Sequence, residues 1–150
     1  MFRRTTAAIV LALAASVSLP SAMATQAQPL LAGSPIKIVK IQYRQSGTNL
    51  NTEYIVIKNV TTHGVGITGW KMTSSPATDN QTYTFGTTKV PAGHALTLYT
   101  GHGTSGAGKR YWGSLGPVWN NDGDIAVLTN SGGGVVDNCS YAGGGTVAYC

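Results

Sequence analysis

Beyond residue 24, the chain alternates short runs of β-branched and aromatic residues with clusters of glycine, asparagine and proline. This alternation restricts the fold more than any other feature, because it predicts strands and tight turns. No helical periodicity extends past that point, and the 20 glycines further disfavour helices. The predicted strands cover residues 36–43, 54–57, 65–72, 82–85, 95–100, 125–129 and 134–139. About seven strands at this spacing indicate an all-β chain folded as a β-sandwich.

Three local patterns refine this prediction. The apolar positions of the first run switch from Ile36 and Ile38 to Val39 and Ile41, which predicts a β-bulge near Ile38 and Val39. Residues 130–133, Asn-Ser-Gly-Gly, predict a hairpin turn between the last two runs. The Gly-rich segment 101–108 predicts a flexible loop, which is typical both of binding loops and of neutral insertions.

The N-terminus has the three parts of a secretory signal peptide. Arg3 and Arg4 precede an apolar run of about 13 residues, which is shorter than the roughly 20 that span a bilayer. Residues 22–24, Ala-Met-Ala, form a small-x-small cleavage site. We therefore expect cleavage near Ala24, a secreted protein without a transmembrane segment, a flexible leader over residues 25–35 and one folded domain over 36–150. The alternative is retention as a membrane anchor.

The predicted export changes what the net charge and the two cysteines imply. Loss of Arg3 and Arg4 lowers the formal net charge from +5 to about +3. The remaining basic residues are scattered, and only Lys109 and Arg110 are adjacent, so a nucleic-acid surface is weakly supported. Cys139 and Cys150 lack CxxC spacing, and two cysteines in an exported chain predict a structural disulfide.

Several phrases follow one another in a fixed order between residues 36 and 141. They include Glu-Tyr-Ile-Val-Ile-Lys-Asn at 53–59, Thr-Gly-Trp at 68–70 and Trp-Asn-Asn-Asp-Gly-Asp at 119–124. This ordered series resembles the lamin tail domain family, in its secreted, stand-alone bacterial (actinomycete-like) form. The resemblance implies an immunoglobulin-like β-sandwich of about seven to eight strands. It also implies a recognition or scaffold module rather than an enzyme.

The motif residues are expected to have structural roles. They are Glu53, Asn59, Trp70, Trp119, Asn120, Asn121, Gly123 and Asp124. The indole of Trp70 is expected to fill the space between the sheets. Residues 120–124 are expected to form a turn stabilised by asparagine and aspartate side chains, with Gly123 at positive φ.

Metal binding and catalysis are weakly supported. Residues 120–124 offer the oxygen ligands of a calcium site, but the downstream acid of an EF-hand loop is missing. His63, His94 and His102 lack zinc-ligand spacing. No Gly-x-Ser-x-Gly motif occurs, and five acids offer few choices for a catalytic pair. The sequence therefore predicts a protein without enzymatic activity or cofactor.

Candidate ligand-binding residues surround the Gly-rich loop. They are His102, Lys109, Arg110, Tyr111 and Trp112. If Tyr99, Tyr111, Trp112 and Trp119 were exposed together, they would form a sugar-stacking platform for a carbohydrate or a component of the cell envelope. The alternative is that these rings complete the core. Alternatively, Lys109, Arg110 and the other basic residues would serve a weak extracellular DNA binder, by analogy with the nucleic-acid binding attributed to some members of the family. The expected partner is an extracellular polymer or envelope component.

Overall fold

The computed structural model describes residues 33–75 and 81–150. The predicted signal peptide and residues 25–32 of the predicted leader lie outside the described residues. The last part of the leader is packed. Ser34 is buried, and the carbonyl of Pro35 accepts a hydrogen bond from the backbone of Val60 (3.0 Å). The folded domain therefore begins no later than Ser34.

Eleven strands in the described residues form two stacked sheets and a short ribbon. The strands are β1 (Ile36–Gln42), β2 (Tyr54–Asn59), β3 (Val65–Gly66), β4 (Lys71–Ser75), β5 (Thr82–Thr84), β6 (Lys89–Val90), β7 (Ala95–Tyr99), β8 (Lys109–Tyr111), β9 (Asp124–Thr129), β10 (Val135–Tyr141) and β11 (Val147–Tyr149). The five-stranded sheet has the order β11-β1-β2-β7-β8, the four-stranded sheet β10-β9-β4-β5, and the ribbon pairs β3 with β6. Neighbouring strands are antiparallel except β7 and β8, which are parallel.

The predicted all-β sandwich is confirmed, and the strands outnumber the expected seven or eight. The additional strands β6, β8 and β11 are only two or three residues long, so they show too little alternation to be recognised from sequence. The predicted run 65–72 divides into β3 and β4. A tight turn separates them, in which Gly69 has φ +76° and the backbone N–H of Trp70 donates to the carbonyl of Ile67.

The predicted bulge and hairpin are both present. The pairing of β1 with β2 shifts between Ile38 and Lys40. β9 and β10 form a hairpin around residues 130–133, where the Asn130 side-chain oxygen accepts from the backbone N–H groups of Gly132 (3.0 Å) and Gly134 (2.9 Å). Turn chemistry and alternation are local properties, which is why sequence predicts both features.

The core lies between the inner faces of the two sheets. Its buried aliphatic residues include Ile38, Ile41, Ile55, Ile57, Leu96 and Leu98 from the five-stranded sheet and Met72, Ala126, Leu128 and Val136 from the four-stranded sheet. Trp119 is 1% exposed and is the largest fully buried side chain. Trp70 is only partly buried and packs at the margin of this core. The expectation for Trp70 is therefore corrected, because Trp119 is the indole that fills the interior.

One side of the sandwich is closed by covalent and polar contacts between β10 and the opposite sheet. The predicted disulfide joins Cys139 of β10 to Cys150, with the Cα atoms 5.8 Å apart. Asp137 of β10 accepts a hydrogen bond from the backbone N–H of Ile38 (2.8 Å) and forms an ion pair with Lys37 (3.0 Å). These contacts hold β10 to β1 and to the chain end after β11.

Candidate functional site

The outer face of the five-stranded sheet gathers lysine and tyrosine side chains. In β2 and β7 the isoleucines and leucines are buried, so the alternate residues point away from the core. Cross-strand pairing then aligns the outward residues of all five strands. We call this surface the tyrosine–lysine face, and it consists of Lys37, Lys40, Lys58, Lys109, Tyr54, Tyr99, Tyr111 and Tyr149.

Three tyrosines form a row across this face. Tyr54 pairs with Tyr99 and Tyr99 with Tyr111 in the strand register. The ring centroids of Tyr54 and Tyr99 are 5.6 Å apart, and those of Tyr99 and Tyr111 are 5.2 Å apart with nearly parallel planes (21°). Such cross-strand aromatic pairs stabilise a sheet. The Tyr99 and Tyr111 rings therefore stack, whereas the Tyr54 ring is tilted by 56° against that of Tyr99.

Other residues contact the tyrosine rings at both ends of the row. The ammonium of Lys40 lies 5.0 Å from the Tyr54 ring centroid and donates to the Tyr54 hydroxyl (2.8 Å). At the other end, Gly103 packs against Tyr111 so closely that a Cβ at residue 103 would collide with the ring. The row therefore favours contacts through hydroxyl groups and ring edges over stacking on an open ring.

The tyrosine–lysine face is positively charged. Of the four acids that the structure describes, Glu53 is buried, Asp124 and Asp137 belong to the four-stranded sheet, and Asp122 lies in the loop before β9. Within residues 33–75 and 81–150, the only ion pair is Lys37 with Asp137. The hydrogen bond to Tyr54 raises the pKa of Lys40 above its ordinary value, so this ammonium remains charged.

Lys109 and Arg110 do not form a joint basic site. Lys109 pairs with Thr97 on the outer face, whereas Arg110 pairs with Leu98, whose side chain is buried in the core. Adjacent residues of a strand point to opposite sides of the sheet. The two adjacent basic residues of the weak DNA-binding alternative therefore lie on different sides of the sheet.

The four aromatic rings expected to form one sugar platform are divided between two places. Tyr99 and Tyr111 lie on the tyrosine–lysine face. Trp112 is half-buried at the sandwich edge, with its ring centroid 6.0 Å from that of the buried Trp119 and 5.8 Å from that of Tyr83. The expected platform is therefore not formed, because strand alternation separates Tyr111 from Trp112.

Trp112 nevertheless lines a shallow hollow. Its volume is about 480 Å³, and it is bordered by Thr82 and residues 113–116. Leu115 at its rim is 92% exposed. A large exposed apolar side chain beside an indole is a feature of binding surfaces.

His102 and the Gly-rich loop are anchored at several points. The His102 carbonyl accepts from the side-chain amide of Asn51 (2.8 Å), while the His102 side chain is exposed beside Gly113. The loop's end is held by a hydrogen bond from the Thr97 backbone to the Gly108 carbonyl (2.9 Å). The excursion that sequence predicts as flexible is thus anchored at both ends, to the short turn before β2 and to β7.

Glu53 and Asn59, at the two ends of one motif, hold loops from inside the protein. One oxygen of Glu53 accepts from the backbone of Val118 (2.7 Å), the backbone of Trp119 (3.3 Å) and the Thr100 hydroxyl (2.8 Å). Burial raises the pKa of Glu53 above its ordinary value. The buried side chain of Asn59 binds the carbonyls of His63 and Val90.

Asp124 is the centre of the predicted turn at residues 120–124. Its two oxygens accept four hydrogen bonds, from the backbones of Asn120, Ile125 and Ser75 and from the Ser74 hydroxyl. Asn120 accepts from the backbone of Asp122 (3.0 Å). Gly123 has the expected positive φ (+133°), and Asn121 is exposed. Because both Asp124 oxygens already accept hydrogen bonds from the protein, the calcium alternative lacks its strongest ligand.

Across residues 33–75 and 81–150, no group of three or more histidine, cysteine, aspartate or glutamate side chains is placed to hold a metal ion. Within the same ranges, no helix is long and apolar enough to cross a membrane.

Sequence reasoning missed most of the tyrosine–lysine face. Lys40, Lys58, Tyr54 and Tyr149 come from three strands, and their neighbours depend on the strand order. Alternation within the runs 36–43, 54–57 and 95–100 places each side chain on a face of its strand. The pairing of those strands, which brings the side chains together, has no local signal.

The two stacked sheets and the open outer face define an immunoglobulin-like β-sandwich module. The family model described as Lamin Tail Domain matches residues 31–143, which is most of the chain. The chain therefore belongs to the lamin tail domain family. No curated protein matches it.

Proposed function

We propose that the chain is an exported, non-enzymatic binding module whose tyrosine–lysine face binds an anionic polysaccharide of the cell envelope or extracellular medium. The observation that carries this proposal is the gathering of four lysines and four tyrosines on one sheet face. Asp137 pairs with Lys37, whereas no acid among the described residues pairs with Lys40, Lys58 or Lys109. The basic and apolar N-terminal segment, with its Ala-Met-Ala site, supports export.

The arrangement of the tyrosines favours a polysaccharide over a nucleic acid. Proteins that bind single strands stack bases on open aromatic rings. Here the Tyr99 ring contacts Tyr54 and Tyr111, and Tyr111 also contacts Gly103. Ammonium groups and phenol hydroxyls suit carboxylate and sugar oxygens as hydrogen-bond partners.

The hydrogen bonds that the described carboxylates accept from the backbone support a role without catalysis. Glu53 and Asp124 bind backbone N–H groups, and Asp137 binds the backbone of Ile38. General acid–base catalysis needs a carboxyl group that reaches the substrate. In the described part of the chain, Asp122 is the one acid that is exposed.

The test is chromatography of the mature protein on immobilised polygalacturonate, with cellulose as the neutral matrix. We expect retention on polygalacturonate that salt reverses, because the attraction is electrostatic. The double variant Lys58→Ala/Lys109→Ala should elute at lower salt. The matched control Arg44→Ala/Lys71→Ala removes the same charge outside the face and should elute almost as the parent does.

Two results would overturn the proposal. One is an equal loss of retention in both double variants, which would mean that net charge rather than the face is responsible. The other is retention on single-stranded DNA without retention on polygalacturonate. Export has its own test: secreted protein should begin at Thr25, and recovery of the intact chain in the membrane fraction would contradict it.

A second candidate function rests on the hollow beside Trp112. The exposed Leu115 and the indole offer apolar contacts for a neutral oligosaccharide, which would bind independently of salt and quench tryptophan fluorescence. Trp112→Ala is a poor test because this ring supports Trp119. Leu115→Ser should weaken such binding without affecting stability, and an unchanged titration with cellohexaose would exclude this site.

A further inference from the structure

A separate hollow opens at the sandwich edge, between the turn that joins β6 to β7 and the end of the Gly-rich loop. Its volume is about 410 Å³. Lys89, His94 and Arg110 line it, together with the loop segment 106–108. No carboxylate is found among the described residues that border it. The hollow thus combines positive charge with enclosure.

Arg110 is held in one orientation by its own neighbours. Its Nε donates to the Thr88 hydroxyl (3.1 Å), and its Nη1 donates to the carbonyls of Gly106 (2.8 Å) and Lys109 (2.7 Å). A guanidinium has five N–H donors, so the two on Nη2 remain for a ligand. A charged group that is already oriented loses less entropy when it binds an anion.

Lys89 adds a second cation to the lining, and His94 adds an imidazole. Lys89 is exposed on β6, so its ammonium is available to solvent and ligands. The His94 Nδ1 lies 2.8 Å from the carbonyl of Ala92. Because a carbonyl can only accept, Nδ1 must carry the hydrogen, and the imidazole is held in place at the rim of the hollow.

We propose that this hollow binds a sulfate or phosphate monoester carried on a sugar, with Arg110 as the main anion ligand and Lys89 as the second. The two free N–H groups of Nη2 can donate charge-assisted hydrogen bonds to the oxygens of either ester, and an ammonium group binds such oxygens as a point charge. The volume exceeds that of an oxyanion alone and accommodates part of the sugar that carries it. This inference rests on the proposed function only for the source of the ester, which would be a substituent of the bound polysaccharide.

The test is a ¹H–¹⁵N NMR titration of the mature protein at constant ionic strength. The probes are glucose 6-sulfate, glucose 6-phosphate, inorganic phosphate and unmodified glucose. We expect saturable shifts of the Arg110 Nε signal and of the backbone amides 106–110 with both esters. Glucose should cause none, and inorganic phosphate should bind more weakly than the esters because it lacks the sugar contacts.

Lys89→Ala is the informative variant, because Lys89 has no part in holding the loop. Loss of one charge-assisted contact should weaken ester binding by about five- to tenfold. Lys71→Ala removes the same charge from the four-stranded sheet and should leave the dissociation constant within about a factor of two.

Three results would overturn the inference: shifts that do not saturate, equal weakening in both variants, and shifts caused by single-stranded DNA but by neither ester. Failure of this site differs from failure of the proposed function. If polygalacturonate retains the protein but the esters shift no NMR signals, only the ester site is refuted. If the esters shift the NMR signals but polygalacturonate does not retain the protein, only polysaccharide binding by the tyrosine–lysine face is refuted.

Discussion

At the scale of single residues, three buried polar side chains of the family motifs bind backbone groups. Glu53 and Asp124 accept from backbone N–H groups, whereas the Asn59 amide donates to carbonyls. Glu53, Asn59 and Asp124 are nearly or fully buried, and each binds backbone groups of a loop. Buried backbone groups without partners are costly, so such side chains substitute for missing strand pairing. Sequence identifies these positions, whereas the identity of their partners depends on loops up to 66 residues away.

Glu53 should make stability depend on pH. Burial raises its folded-state pKa, so the folded protein binds the proton more tightly than the unfolded chain does. The stabilisation that comes from this tighter proton binding is fully present below the unfolded pKa of about 4.3 and is lost as pH rises through the folded-state pKa. The Glu53→Gln side chain is neutral at every pH, so it does not lose this contribution. The free energy of unfolding of Glu53→Gln should therefore increase relative to that of the parent as pH rises.

Urea unfolding at a series of pH values measures this difference. Glu53→Ala is the control: it removes the acceptor of two buried N–H groups and a hydroxyl and should cost about 3 kcal/mol or more. A constant difference between the parent and Glu53→Gln across pH 4 to about 8 would show that the carboxyl does not titrate in that window.

Gly103 and Gly106 should respond differently to alanine, although both belong to the Gly-rich loop. A Cβ at Gly103 would collide with the Tyr111 ring, whereas a Cβ at Gly106 meets nothing within 4 Å. Gly103→Ala should therefore destabilise by about 1–3 kcal/mol and disturb the Tyr99–Tyr111 pair. Gly106→Ala should be close to neutral. Thermal unfolding and tyrosine ring NMR signals report both effects, and equal costs would contradict the packing of Gly103 on Tyr111.

At the scale of strands, side-chain bridges replace sheet hydrogen bonds where pairing ends. β11 pairs with only the last part of β1, from Lys40 to Gln42. Before the bulge, β1 has no hydrogen bonds to β11. There the side chain of Asp137, from the other sheet, accepts a hydrogen bond from the backbone N–H of Ile38. The bulge was predictable from alternation in β1. The bridge was not, since it joins residues 99 positions apart.

Asp137→Ala should cost more than Lys37→Ala. The aspartate is largely buried and accepts a backbone hydrogen bond, so its loss leaves a donor unpaired and should cost about 1–3 kcal/mol. The Lys37 side chain is 43% exposed, and its half of the ion pair should contribute less than about 1 kcal/mol. Denaturant unfolding gives both values, and hydrogen exchange of the Ile38 amide should quicken only in Asp137→Ala. Equal costs for the two variants would mean that the ion pair, not the backbone contact, dominates.

At the scale of the whole molecule, the disulfide and the aromatic contacts close opposite sides of one sandwich. Cys139 and Cys150 join the edge strand β10 to the chain end after β11. On the other side, Trp112 after β8 packs against Tyr83 of β5. Both closures link a strand of one sheet to a strand of the other, so the sheets are held together where their hydrogen bonding ends.

Loss of the disulfide should lower stability without abolishing the fold. The loop it closes is short, and the chain-entropy model gives about 2–3 kcal/mol for such a loop. We expect Cys139→Ser/Cys150→Ser to unfold at lower urea and to lose hydrogen-exchange protection first in β11. The tyrosine row should persist because Tyr54, Tyr99 and Tyr111 lie on other strands. Retained protection in β11 together with unchanged stability would contradict the role of the bridge.

The sequence by itself determined the all-β class, the bulge, the hairpin, the disulfide and the family, because each depends on alternation, turn chemistry or a short ordered motif. The tertiary structure decided which side chains share a surface. Lys109 and Arg110 are adjacent in sequence and point to opposite faces, whereas Tyr54, Tyr99 and Tyr111 are far apart and form one row. The physical reason is that alternation assigns a side to each residue, but only long-range pairing of the strands assigns its neighbours.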